Sequence, residues 1–416
     1  MIACPGTDGT EQIDWPGLLR GKTVWWSHGS AEPATLLASV ETALSELETL
    51  SLGCIVPMSP VVERLCLDDR TRWTGVAPFG ALFHAMAENR FDLRLLRYSQ
   101  FPGMLLEGLI PADVALIQVK RLDDGSFNLG TTVDYSLALI EAAPIRVAQV
   151  NSRMPETCGE TRVDPGLFSA VIESDVSLPF LTSQPPSAAD LEIAGHVARL
   201  VPDGACLEIG WGSLGDAIWR ALSGKRDLGV HTGFMADAVA ELVESGVISN
   251  RRKAVFNGIT VGTVAFGTNT LYRALHRNEL FALHPSDVTH ASSVISANDN
   301  MIAINSALEV DLSGQVNTEM AGRSYRGAIG GLADFVEGAR GSRGGRTIIT
   351  LRSRRGRRSS IVQNLSHGNV TLPSHSVDYV VTEYGIAELS GKSLQERRRA
   401  MIAIAHPEEH RRLEEN

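Results

Sequence analysis

The sequence predicts an α/β protein of two tandem open α/β domains. Short apolar runs alternate with amphipathic stretches, the alternation occurs twice, and a proline-rich segment without periodicity separates the two series. The first series opens with residues 24–26 as strand, 33–47 as helix and 53–58 as strand. Residues 113–119 and 145–150 follow as buried strands, rich in β-branched and aliphatic side chains and bounded by turn formers. Both are expected in one mainly parallel sheet. Between 178 and 190 the periodicity stops and Pro179, Pro185 and Pro186 gather, the composition of a connector. This predicts an N-terminal domain over 1–185 and a C-terminal domain over 186–416. The second series reads as helix 191–200, strand 205–209, helix 214–222, strand 228–231 and helix 236–245, with later strands at 301–311, 347–351, 360–365 and 379–382.

A chain of 416 residues with 44% hydrophobic and 21% charged content can bury two sizeable cores. Its net charge of -10 argues against nonspecific nucleic-acid or anionic-membrane binding, both of which need a basic surface. Cys4, Cys54, Cys66, Cys158 and Cys206 are scattered without C-x-x-C spacing, so neither a disulfide framework nor a metal site is expected. The opening residues Cys4, Pro5, Asp8, Glu11 and Asp14 lack the basic start and apolar core of a signal peptide. No apolar run approaches the roughly 18 residues of a bilayer span. A cytoplasmic enzyme of small-molecule metabolism is the expectation.

The sharpest local pattern is Gly210-Trp211-Gly212-Ser213-Leu214-Gly215, placed between a strand and a helix. Formally it is G-x-G-x-x-G, but a dinucleotide site also needs an acid at the tip of the next strand, and that strand ends in Val230-His231-Thr232-Gly233. What remains is backbone N–H groups at a helix start, suited to an oxyanion or a carboxylate. His28, His231 and Glu208 also fall at strand ends, where open α/β sheets place ligands, although each has an ordinary structural reading as well. No G-x-S-x-G elbow accompanies Ser27-His28, which removes the usual serine hydrolase. Arg352, Arg354, Arg355, Arg357 and Arg358 around Gly356 would suit a nucleotide phosphate, or form a solvated loop between strands.

Longer blocks carry a family resemblance over residues 22–413. They are Ala112-Asp113-Val114-Ala115-Leu116-Ile117-Gln118-Val119 with Asn128-Leu129-Gly130 and Val133-Asp134, then Ala303-Ile304-Asn305-Ser306-Ala307-Leu308-Glu309-Val310-Asp311-Leu312-Ser313-Gly314-Gln315-Val316-Asn317, and Val380-Val381-Thr382-Glu383-Tyr384-Gly385-Ile386-Ala387. On these the chain resembles the acetyl-CoA hydrolase and 4-hydroxybutyrate CoA-transferase family, class I CoA-transferases with both halves fused. The resemblance implies two class I CoA-transferase domains, a coenzyme A thioester as substrate, no metal, and a homodimer. It also implies a glutamate that attacks the thioester carbonyl to give an acyl-glutamyl anhydride and then a glutamyl-CoA thioester. By the same resemblance Gly210, Trp211, Gly212 and His231 line the oxyanion and substrate region and His28 lines the pocket. Gly330, Gly331, Asp334, Phe335, Gly344 and Gly345 fall near the coenzyme A site.

Three departures from the family pattern fall in that region. Where the family reads His-Ser/Thr-Glu-Met, this chain reads His231-Thr232-Gly233-Phe234-Met235, and no glutamate occurs between Gly229 and Ala240. Glu208 replaces a glutamine before the glycine loop, which is either a relocated carboxylate or a substitution within a hydrogen-bond network. The glutamine usual after the double glycine gives way to Leu332-Ala333. The expected function is therefore an acyl-CoA enzyme without a glutamyl-CoA intermediate. It would hydrolyse the thioester or pass the acyl group to a second substrate, with Gly233 marking the vacated position and His28 as general base. The expected partners are acyl-CoA and a carboxylate, water or other small acceptor, without nucleic acid or membrane. Two alternatives stand beside it: a CoA-transferase whose nucleophile has moved to Glu208, and a catalytically silent acyl-CoA-binding homologue.

Overall fold

The computed structural model describes residues 13–365 and 368–415. The stretch Cys4–Glu11, read above for its lack of a signal peptide, lies outside them. The chain forms two compact units. One consists of the chain up to Leu181 together with Thr263–Val288, and the other of Thr182–Gly262 together with Thr289 onward. The sequence-based boundary at 185/186 thus falls close to the first crossing, but residues 263–288 pack with the first unit rather than the second.

The first unit holds a nine-stranded sheet. Seven strands run parallel in the order Phe91–Leu93, Thr71–Gly75, Leu50–Gly53, Thr23–Trp26, Val114–Arg121, Ile145–Asn151 and Ala170–Ser174. Two short strands, Phe127–Asn128 and Arg162–Val163, extend it antiparallel. Val114–Arg121 carries six buried residues in succession, as a central parallel strand covered on both faces must. Helices Ala34–Ala43 and Pro60–Leu67 close one face with Leu36, Leu37, Val40, Val62 and Leu65 against Trp26, Leu52 and Trp73. The reading of 53–58 as strand is displaced: the strand is Leu50–Gly53, and the apolar Cys54, Ile55 and Val56 are buried loop. Hydrophobicity marked burial there, and a strand would have needed pairing partners as well.

The second unit is built on six strands in the order Gly229–Val230, Cys206–Ile209, Met301–Ser306, Arg346–Thr350, Tyr379–Thr382 and Gly385–Glu388, parallel but for the last. Helix Ala188–Leu200 starts on a capping box in which Ser187 and Asp190 each satisfy the other's backbone N–H, and it buries Ile193, Ala194 and Val197. The apolar run 301–311 is two strands, not one. Met301–Ser306 lies in the main sheet, whereas Glu309–Asp311 pairs with Val316–Asn317 and Ile361–Val362. The arginine cluster forms a small hairpin, Arg354–Arg355 with Arg358–Ser359. Its neighbour Arg352 grips the carboxylate of Asp190 with two hydrogen bonds of 2.8 and 2.6 Å, Arg354 pairs with Glu408 and Glu409, and Arg355 donates to the carbonyl of Ala307. These three arginines are bonded to the scaffold, and the segment is a hairpin rather than the solvated loop expected. Among the described residues no helix is long and apolar enough to cross a membrane, and no group of His, Cys, Asp or Glu has metal-site geometry.

Candidate active site

In the second unit the C-terminal ends of the parallel strands converge on the residues singled out in the sequence. Strand Cys206–Ile209 delivers Glu208 and runs into Gly210, while the neighbouring strand Gly229–Val230 delivers His231 in register, its N–H donating to the carbonyl of Leu207 at 3.0 Å. The glycine loop then turns into helix Ser213–Ala221, with Gly212 at φ +135° as its N-cap. L-residues rarely adopt that conformation. Close packing explains Gly215: a Cβ there would stand 2.2 Å from the carbonyl oxygen of Gly210. The loop thus lies tight on the helix start, where first-turn N–H groups have no helical acceptor. Trp211 is 43% exposed and leans on Phe234, ring centroids 5.7 Å apart.

Glu208 is 5% exposed, and Nδ2 of Asn305 donates to its Oε2 at 2.7 Å. Burial outweighs that bond and pushes the carboxyl up to about 8, so Glu208 keeps its proton at neutral pH. A neutral carboxylic acid is a poor nucleophile but a competent hydrogen-bond or proton donor.

Around Gly233 the packing is close. A Cβ at this position would stand 2.9 Å from Nε2 and 3.1 Å from Cε1 of His290, and 3.6 Å from the ring of Phe335. The imidazole of His290 is bounded by a second glycine as well: a Cβ at Gly331 would stand 2.6 Å from Nε2 and 2.7 Å from Cδ2. Phe335, fully buried, meets His290 edge to face at 4.8 Å, and Thr289 Oγ1 lies 2.8 Å from Nδ1. Burial first, and the neighbouring His231 second, lower His290 to about 3, so the ring is neutral. His231 is buried too, with Nε2 donating to the carbonyl of Thr289 at 2.8 Å.

The six residues read as coenzyme A-binding divide between the two ends of helix Leu332–Gly341. Gly330 and Gly331 precede its first turn, Asp334 and Phe335 are buried within it, and Gly344 and Gly345 follow its last. Ten residues at roughly 1.5 Å each place those ends about 15 Å apart. Gly345 has a local reason of its own, since a Cβ there would stand 2.0 Å from the carbonyl oxygen of Ala339. The turn into strand Arg346–Thr350 therefore requires it, at the N-terminal end of the parallel strands, opposite the end that carries the glycine loop.

His28 belongs to the first unit, at the end of strand Thr23–Trp26. It is 2% exposed, and Nε2 donates to Asp134 Oδ2 at 2.6 Å; the hydroxyl of Tyr98 donates to the same oxygen. Tyr135 stacks on the ring at 5.3 Å, and Phe266 meets it edge-on at 5.6 Å. Gly29 makes this possible: its φ is +63°, and a Cβ would stand 2.0 Å from the ring of Phe266. With Nε2 committed to Asp134, Nδ1 is the atom left to accept a proton, and it has no hydrogen-bond partner among the described residues. Glu32 is buried nearby in sequence, takes the N–H groups of Met58 and Ser59 at 3.1 and 2.6 Å, and is pushed up to about 7 by burial. Tyr98, Glu32, Asn305 and His290 were not singled out from the sequence, because each acquires its setting from residues far away in the chain.

The profile of the acetyl-CoA hydrolase/transferase N-terminal domain matches residues 19–164, and that of the C-terminal domain matches 267–416. The chain is 39% identical over 334 residues to a 4-hydroxybutyrate coenzyme A transferase of Clostridium kluyveri, covering 79% of this chain and 77% of that protein. Among solved structures, RipA from Yersinia pestis superposes with a TM-score of 0.89 at 29% identity, covering 96% of this chain and 94% of RipA. A 4-hydroxybutyrate CoA-transferase from Porphyromonas gingivalis superposes with a TM-score of 0.80 at 31% identity, covering 99% and 96%. The chain belongs to the acetyl-CoA hydrolase/transferase family and is an acyl-CoA hydrolase/transferase-like enzyme.

Proposed function

We propose that the enzyme consumes an acyl-CoA thioester by direct attack of water or a second small nucleophile on the carbonyl carbon, without an enzyme-bound glutamyl-CoA. The attacking oxygen bonds to that carbon, the C–S bond breaks, coenzyme A leaves as thiolate, and the proton of the attacking group passes to a general base. The observation that carries this reading is the pairing of Gly233, which offers no side chain, with Glu208, whose carboxyl burial keeps protonated at neutral pH. Neither provides an ionised carboxylate to form the anhydride. N–H groups of the Gly210–Ser213 turn would stabilise the oxyanion.

The test is mass spectrometry of a panel of acyl-CoAs incubated with the enzyme, with and without carboxylate acceptors, joined to borohydride trapping and peptide mapping. Coenzyme A should be released with no adduct on any glutamate. A trapped adduct on Glu208 would establish the relocated nucleophile instead, and binding without consumption of any thioester would mark a silent homologue. His28→Ala should slow turnover at least about 10²-fold; unchanged turnover would remove His28 from the reaction.

A further inference from the structure

We infer that Gly233, His290 and Gly331 form one steric unit in which the His290 imidazole fills the volume a side chain at 233 would claim, closing this position to a carboxylate nucleophile. The inference rests on the reading above only in taking 233 as the position of the family's glutamate.

Three observations carry it. A Cβ at 233 would approach Nε2 of His290 to 2.9 Å, closer than real Cβ contacts come, before any Cγ or carboxylate is added. Gly331 confines the same nitrogen, since a Cβ there would stand 2.6 Å from it. Rotation is opposed by Thr289 Oγ1, 2.8 Å from Nδ1, and by the edge of Phe335. Packed interiors answer even one added methyl with displaced side chains and backbone. A glutamate at 233 and a histidine at 290 therefore exclude each other. The residue that excludes a side chain at 233 lies 57 positions along the chain, between helix Ser286–Thr289 and helix Ser292–Ser296. The neutral state of the buried ring agrees with a packed wall, since burial disfavours the charged form. His290 thereby becomes the specificity-determining residue for the direct route: it keeps the enzyme from returning to the anhydride pathway by a single substitution.

The test is a double-mutant cycle read by thermal unfolding, which needs no turnover and stands whether or not the direct-attack reading survives. Gly233→Ala should lower Tm by at least about 2 °C in the wild-type background and by less than half of that in the His290→Ala background. Equal shifts in both backgrounds would overturn the inference. A second arm introduces the carboxylate: Gly233→Glu alone should give no borohydride-trapped coenzyme A adduct at position 233, and Gly233→Glu with His290→Ala should give one. An adduct in the single variant would show that the space is open and overturn the proposal.

Discussion

At the scale of the residue, Glu208 is governed by burial. Its folded-state carboxyl ionises near 8, while an unfolded chain ionises near the ordinary 4.5. Between those values the folded form holds a proton that the unfolded form has lost, so stability falls as pH rises from about 4.5 to about 8 and levels off above. Glu208→Gln removes the titration and leaves an oxygen to accept from Asn305. Melting curves at about pH 5.5 and about pH 8.5 should therefore show the wild type losing more than the variant, and a gap that stays constant would refute the buried-acid assignment. His290 acts in the opposite sense: its folded-state value near 3, below the usual 6.5, adds stability that is present above 6.5 and lost as pH falls toward 3. The sequence displayed Glu208 and Gly233 as departures from a pattern, yet it concealed His290. Nothing in the local spelling Val288-Thr289-His290-Ala291 reveals that this ring packs against glycines 57 positions before it and 41 after.

Among elements, the helix glycines separate local propensity from tertiary contact. Gly195 sits exposed inside helix Ala188–Leu200 with nothing near the position of its missing Cβ, so Gly195→Ala should gain roughly 0.5–1 kcal/mol from the lower backbone entropy of the unfolded chain. Gly215, inside helix Ser213–Ala221, has the carbonyl oxygen of Gly210 2.2 Å from its missing Cβ. Gly215→Ala should cost about 1–3 kcal/mol and reduce thioester consumption, because relief of the clash moves the loop whose N–H groups are assigned to the oxyanion. Urea titration of both variants measures the pair, and losses of equal sign and size would count against the loop's close packing. The glycine loop was legible because its spacing, its preceding strand and its following helix all appear in one stretch of sequence. The break in the 301–311 run was not: Ala307 and Leu308 carry the apolar pattern across it, and different sheet partners separate 301–306 from 309–311.

For the whole molecule the sequence conveyed two α/β series and a connector, but not the course of the chain between two compact units. Residues 263–288 follow the first third of the second series in sequence, so periodicity assigned them to a 186–416 domain. In the structure Ala265 donates to the carbonyl of Thr131 at 2.8 Å, Val133 donates to that of Thr263 at 3.1 Å, and Leu283 and Glu160 complete a ladder with Cys158 and Leu283. Phe266 seals Gly29 and His28, while Tyr272 joins Ala31, Met154 and Leu178 in a small core and donates to the carbonyl of Pro179 at 2.8 Å. A fragment ending at 185 would lose all of these partners at once, leaving backbone donors and an apolar cluster unsatisfied. Expressed alone, 1–185 should therefore lack a cooperative melt and a structured near-ultraviolet dichroism spectrum. The same fragment joined through a flexible linker to 263–288 should regain both, since the linker replaces only residues assigned to the second unit. A cooperative melt of 1–185 by itself, with tryptophan dichroism equal to that of the linked form, would show that 263–288 is dispensable to the first unit.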